Sequence, residues 1–152
     1  MADRHLIDVH VLLTDEDGRL LLTQRAGTDE FAHRWHLPSG KLDAQEPVTV
    51  AAAREAWEEV GVRIDPADLR VVHIAHVADS GPEPRLGVFL HAARWEGEPV
   101  NAEPEKCSAV RWFPLSEIGG IDIIEYPAVG VRAFLRGTFA SFSEHGWIPA
   151  SV

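Results

Sequence analysis

Gly40–Val62 reads GKLDAQEPVTVAAAREAWEEVGV. Pro47 suits the first turn of a helix, where its missing N–H would have had no partner. Gly61 suits the left-handed position just past a helix end. Between them the residues are good helix formers, and the pattern predicts a helix over Pro47–Glu59. An α-helix advances about 100° per residue. Glu55, Glu58 and Glu59 therefore share one face, and Val50, Ala53, Trp57 and Val60 share the opposite one. The expectation is an apolar stripe buried on a sheet and three carboxylates pointing outward.

Three clustered carboxylates repel one another. A solvated acidic helix face tolerates this through screening. The other use of such a face is to hold a hard divalent cation: Mg²⁺ takes oxygen ligands and binds through a few carboxylates together with waters and substrate phosphates. That chemistry suits hydrolysis of a phosphoanhydride, with a further carboxylate accepting the proton of the attacking water.

Outward from this stretch, Leu6–Leu13 alternates as a strand, with Ile7, Val9, Val11 and Leu13 on one face and Asp8 and His10 on the other. Asp15–Gly18 (DEDG) is a turn, and Arg19–Arg25 returns as the second strand of a hairpin. Ala26–Lys41 and Ala78–Arg85 are rich in Gly and Pro and read as loops. Leu69–Val77, Leu86–Trp95 and Val110–Phe113 read as strands, and Pro127–Leu135 as a second helix. Gly137–Val152 carries little pattern. Strands mixed with two helices indicate helices covering a mixed sheet. No linker is visible, so residues 1–152 are expected to form one domain.

Composition narrows the function. The chain has 152 residues, one cysteine and a formal net charge of −10. So acidic a protein is a poor binder of nucleic acid or anionic membranes. A lone Cys107 excludes an internal disulfide. No apolar run reaches membrane-spanning length. The segment MADRHLIDVHVL lacks the apolar core of a signal peptide, so a cytoplasmic location is expected.

Gly40, Glu46, Arg54, Glu55, Ala56, Glu58, Glu59, Gly61 and Val62 occupy the spacing of the Nudix box, and the chain resembles the Nudix hydrolase family. Ala56 stands where a larger aliphatic residue is usual. The preceding WHLPSG (Trp35–Gly40) resembles the family's approach to the box, with Ser39 replacing a common glycine. The resemblance implies an α/β/α sandwich with a mixed β-sheet. It implies hydrolysis of a nucleoside diphosphate linked to a group X, with Mg²⁺ as cofactor and Mn²⁺ as a substitute. By position, Glu55, Glu58 and Glu59 are the metal-binding and catalytic glutamates, and the Gly40 carbonyl is a backbone metal ligand. Arg54 and Glu46 brace the glutamates. Glu55 and Glu58 are both candidates for general base.

Relatives in the family recruit a further acidic residue from a later loop. Glu98, Glu103 and Glu105 are the candidates, with Glu105 selected because it precedes the Val110–Phe113 strand. Arg25 is a candidate phosphate contact or a surface ion pair. Tyr126, Trp35 and Phe31 are candidates for stacking on a base or for core packing. His33 and His36 lie in the loop before the box. His73 and His76 fall on opposite faces of one strand, which argues against a shared metal. Cys107 has no visible activating partner and is expected to be a small buried or loop residue.

The expected partner is a small-molecule nucleotide, and the chain is expected to be a monomer or homodimer. WEGEP (Trp95–Pro99) resembles the MutT-like branch and points to nucleoside triphosphates, including modified ones. Ala78, Asp79 and Ser80 stand where other branches carry a substrate-marking proline or tyrosine. Two other readings are a non-catalytic nucleotide-binding module, which would normally lose box glutamates, and an isoprenoid-diphosphate isomerase, which would need a protonating cysteine in a fitting motif. A nucleotide-sugar or ADP-ribose pyrophosphatase is the alternative substrate reading.

Overall fold

The structure is a computed structural model that describes residues 1–148; the last four positions of the expected domain, 149–152, lie outside the described residues. Eight strands form two sheets: β1 (Leu6–Leu13), β2 (Arg19–Arg25), β3 (Trp35–His36), β4 (Ser39–Lys41), β5 (Arg70–Val77), β6 (Arg85–Ala92), β7 (Cys107–Pro114) and β8 (Ser141–His145). The helices are α1 (Val48–Val60) and α2 (Glu125–Leu135). A five-stranded mixed sheet runs β4-β1-β6-β5-β8, and a three-stranded antiparallel sheet runs β3-β2-β7. In the larger sheet β1–β6 and β5–β8 are parallel and the other pairs antiparallel. Among the described residues no helix is long and apolar enough to cross a membrane.

The two faces of the larger sheet feed two cores. Val9, Val11 and Leu13 of β1 and Val88 and Leu90 of β6 pack with Ala51, Ala52, Ala56 and Val60 of α1. Leu12 and Phe89 point the other way and pack with Val129 and Val131 of α2. This is the alternation of a strand covered on both sides, and the layers are those of an α/β/α sandwich.

The expected hairpin of β1 and β2 does not form. The turn is real: Asp15 Oδ1 accepts the backbone N–H groups of Asp17 and Arg19 at 3.0 and 2.8 Å, and Gly18 takes φ +74°. The strands then separate into different sheets, with a bridge between Thr14 and Leu20 and the Asp15 N–H to Arg19 carbonyl bond at 3.1 Å at the turn. Both edges of β1 are already filled, by β4 and β6, which leaves none for β2.

The buried face of α1 also differs from expectation. Ala51, Ala52, Glu55, Ala56 and Val60 are buried, while Val50 and Trp57 are 42% and 51% exposed. Small alanines let the helix lie close to the sheet, and the bulkier residues stay outside. Glu55 is therefore buried, with its carboxylate against Gly40 of β4, rather than pointing outward. Pro47 is the N-cap rather than the first helical residue, and Gly61, at φ +70°, donates its N–H to the Trp57 carbonyl as a left-handed cap.

Several elements are longer or additional. The expected loop 26–41 contains β3 and β4, Val110–Phe113 extends to Cys107–Pro114, and the expected Pro127–Leu135 helix begins at Glu125. β8 forms in the unpatterned tail. It is tied to β5 by His73, whose Nδ1 and Nε2 lie 2.6 Å from the Ser141 and Ser143 hydroxyls.

Candidate active site

Arg54 organises the box. Its guanidinium grips Glu46 in a two-pronged pair, Nε to Oε2 at 2.7 Å and Nη2 to Oε1 at 2.9 Å. Nη1 donates to Glu55 Oε1 at 2.9 Å and to Glu58 Oε2 at 3.1 Å, and Nη2 to the Lys41 carbonyl at 3.1 Å. One cation on α1 thus fixes the preceding loop, the end of β4 and two box carboxylates, a use suited to the planar fork of arginine. The Arg54 hydrogen bonds, with a further one from the Asp43 N–H, hold the Glu46 carboxyl down at about 2.

Glu55 lies against Gly40. A β-carbon at position 40 would collide with the Glu55 carboxylate, so glycine is required there by close approach rather than by its backbone angles. Burial raises the Glu55 carboxyl above its ordinary range against the pull of Arg54, and the neighbouring Glu58 and Glu103 charges add to the rise. Glu59 accepts the Ser39 N–H at 2.9 Å. Burial pushes its carboxyl up to about 8 despite that bond, with further contributions from Glu55 and Glu103. Glu58 is exposed.

The donor set fits a hard divalent cation. It contains oxygen ligands only, with the Gly40 backbone beside the Glu55 carboxylate, and the Glu55, Glu59 and Glu103 carboxyls act on one another while Lys106 pairs with Glu103 at 3.1 Å. In this conformation no three His, Cys, Asp or Glu groups among the described residues converge tightly enough to chelate an ion. Glu55 and Glu58 are turned to Arg54, whose guanidinium supplies the positive charge.

Two cavities flank this group. One, of about 520 Å³, is lined by Glu59, Glu103, Glu105 and Lys106. The other is a cleft of about 910 Å³ lined by Asp8, His10, Phe31, Lys41, Arg85 and Tyr126 among others. Arg25, His36 and Ser39 line both and form the neck between them. The β2–β7 register shifts between Gln24 and Arg25, and such a bulge re-aims the side chain that follows it. Arg25 also pairs with Asp29 at 3.0 Å, the surface ion pair considered for it. Burial, with the Arg25 charge beside it, pulls the His36 imidazole down to about 4 and keeps it neutral.

The structure does not bring all the sequence candidates together. Trp35 lines neither cavity; its ring packs edge-on against Phe113 at 4.9 Å, with the Arg111 guanidinium 5.6 Å from its centre. Phe31 and Tyr126 do line the cleft. Glu103 and Glu105 both line the smaller cavity, but only Glu103 acts on the Glu55 and Glu59 carboxyls. Cys107 is buried, with its thiol pushed up by burial, which keeps it protonated and unreactive.

Sequence reading missed a buried polar group in the cleft. Asp8 Oδ1 accepts the Tyr126 hydroxyl at 2.6 Å and lies 3.0 Å from His10 Nε2, while Oδ2 accepts from Arg85 Nη1 at 3.0 Å. Burial alone would raise the Asp8 carboxyl; its hydrogen bonds to His10, Tyr126 and Arg85 outweigh this and hold it below its ordinary range. Gly87, opposite Asp8 on β6, leaves the space that Tyr126 fills. The signal available was two polar residues, Asp8 and His10, alternating on a strand apolar on both sides of them.

Residues 4–130 match the model of the NUDIX domain. A MutT-like protein of Streptomyces ambofaciens is 38% identical over 69 residues, which span 45% of this chain and 42% of that protein. The phosphatase NudJ of Escherichia coli (strain K12) is 31% identical over 106 residues, spanning 68% of this chain and 67% of NudJ. The crystal structure of a MutT Nudix hydrolase from Burkholderia pseudomallei superposes with a TM-score of 0.72 at 26% identity, covering 86% of this chain and 98% of that one. The Nudix domain of Shewanella oneidensis NrtR, solved with ADP ribose, shares the fold with a TM-score of 0.73 at 18% identity, covering 90% of each chain.

Proposed function

We propose, on the premise that the chain belongs to the Nudix family, that it hydrolyses a phosphoanhydride bond in a nucleoside diphosphate linked to X, with a nucleoside triphosphate, canonical or modified, as the substrate class. The observation that carries this is the complete set of box glutamates, Glu55 against Gly40 and pinned with Glu58 by Arg54, Glu59 bound to the Ser39 N–H, beside a cleft of nucleotide size that Arg25 also lines.

Glu55, Glu59 and the Gly40 carbonyl would hold Mg²⁺, with Mn²⁺ as a substitute and with Glu103 rather than Glu105 as the additional ligand. When bound, the cation neutralises phosphate charge and makes a water more acidic. Arg25 at the neck steadies the phosphates. Glu58 accepts the proton of the attacking water: it is exposed, and a single Arg54 bond holds it, whereas Glu55 is packed against Gly40 and Glu59 is bound to Ser39. Arg54 and Glu46 act by positioning these groups.

The test is a hydrolysis panel with Mg²⁺ or Mn²⁺, covering canonical and oxidised nucleoside triphosphates, nucleotide sugars, ADP-ribose and dinucleoside polyphosphates, with isotopically labelled water to find the phosphorus attacked. No product from any of them would overturn the reading; best turnover of ADP-ribose or a nucleotide sugar would replace the substrate class alone. Glu103→Gln should raise the Mg²⁺ concentration for half-activation more than Glu105→Gln does, and the reverse order would restore Glu105.

A further inference from the structure

Among the described residues, five buried side-chain polar atoms have no hydrogen-bond partner, and four of them belong to residues lining the large cleft: His10 Nδ1, Arg25 Nε, Ser80 Oγ and Arg85 Nε. A buried polar atom left unpaired is destabilising, and unpaired atoms are rare in folded chains. Their collection around one cleft is what a site for a polar ligand looks like before the ligand arrives. His10 is only 5% exposed and is held in place, stacked on Phe89 at 4.4 Å and bonded through Nε2 to Asp8.

The Asp8 carboxylate sets the chemistry of that ligand. Oδ1 already meets two partners, Tyr126 and His10, whereas Oδ2 meets only Arg85 Nη1. A carboxylate oxygen has room for about two donors, so Oδ2 keeps one acceptor position. Arg85 offers an unused Nε–H. A spare acceptor and a spare donor on one ion pair complement a ligand edge that carries a donor beside an acceptor, which is the edge of a nucleobase. A phosphate is a poor match for the open position on Oδ2, because two acceptor oxygens would face each other there. An apolar group is excluded because it would leave the polar atoms unpaired. The aromatic ring of Tyr126 lies in the same cleft.

We infer that Asp8 and Arg85, with His10 and Ser80, form a recognition site for the polar edge of the substrate's base, and so select among nucleotides. This rests on the proposed function only for the position of the phosphates, at the Arg25 neck. The site joins three parts of the chain: β1 supplies Asp8 and His10, the β5–β6 loop supplies Ser80, and the start of β6 supplies Arg85.

Binding without turnover tests it. AMP, GMP, CMP and UMP, with ribose 5-phosphate as the base-free probe, are titrated into metal-free protein by calorimetry. The wild type should bind at least one monophosphate roughly tenfold or more tighter than ribose 5-phosphate, as expected where polar groups read a polar edge. Asp8→Asn, which replaces an acceptor by a donor, should reorder the four bases and leave ribose 5-phosphate unchanged. Ser80→Ala removes only a hydroxyl that has no partner, so it keeps the fold and should still alter the ratios among bases. Ribose 5-phosphate binding as tightly as every monophosphate would overturn the site, and so would base ratios unchanged in both variants. Base-selective binding with no hydrolysis under Mg²⁺ would leave the site standing and overturn the hydrolase reading instead.

Discussion

Glu46, Arg54, Glu55, Glu58 and Glu59 meet within one uninterrupted stretch, whereas Asp8, Arg85 and Tyr126 meet only because the sheet brings distant segments side by side. Both groups set an arginine against carboxylates, but they differ in what is left over. On α1 the carboxylates outnumber the cation, and burial raises Glu55 and Glu59. In the cleft the Asp8 carboxylate meets three partners, keeps one acceptor position and is held below its ordinary range. An excess of acceptors calls for a cation; a nearly balanced set calls for a neutral polar partner. The two faces of β1 carry the division, since Val9 and Val11 support α1 while Asp8 and His10 face the cleft.

The largest effect that would break this contrast comes from Glu58→Gln. If Glu58 takes the proton of the attacking water, kcat should fall roughly 10²–10⁴-fold while far-UV circular dichroism stays that of the wild type. A variant retaining full Mg²⁺-dependent turnover would move the role to Glu55 or Glu59. Next comes Arg54→Ala, which frees Glu46, Glu55 and Glu58 together. Metal affinity or activity should drop roughly 10–100-fold, as when partners that orient metal ligands are lost, and titration of activity against Mg²⁺ reads it directly.

A smaller effect is read from pH. Folded, metal-free protein keeps the Glu59 proton to about 8, against an ordinary value of 4.5. Between those values the folded state binds the extra proton, so the stability of metal-free protein should fall as pH rises through that window. Mg²⁺ should restore more stability at pH 8 than at pH 5. Glu59→Gln should flatten the slope and melt higher than wild type at pH 8 in the presence of EDTA, although it disables the metal site. Equal melting temperatures for the two proteins at pH 8 would remove the charge imbalance from the comparison. The smallest effect is that of Trp57→Ala. The ring is half-exposed and covered by the Arg63 guanidinium at 5.0 Å, so stability should change by about 1 kcal/mol or less in a denaturant titration.

Sequence reading recovered what is local. The box helix, its Gly61 cap, the Asp15–Gly18 turn and the bracing of the glutamates by Arg54 all depend on neighbours a few residues away. It failed where size or distance decides. Ala51, Ala52 and Ala56 were passed over for the bulkier Val50 and Trp57, although close approach to a sheet favours the small residues. The hairpin was expected because β1 and β2 are adjacent in sequence, yet β4 and β6 claim both edges of β1. β3 and β4 are too short to show a period. β8 is held by serine–histidine bonds rather than by alternating apolar residues. Of the cleft, Arg25, Phe31, His36, Gly40 and Tyr126 were candidates, and Asp8, Arg85 and Ser80 become neighbours only through the β1–β6 and β5–β6 pairings.

The β1–β6 pairing has a kinetic consequence. Leu6 lies opposite Arg85, 79 positions along the chain, and the parallel register keeps that separation throughout. Closing such a loop costs about 3 kcal/mol more chain entropy than closing a four-residue turn, and long-range pairings of this kind slow folding. The box helix and its arginine clamp need no such closure. A chain caught part-way would thus carry its acidic helix before it has a cleft, able to attract divalent ions while still unable to tell one base from another.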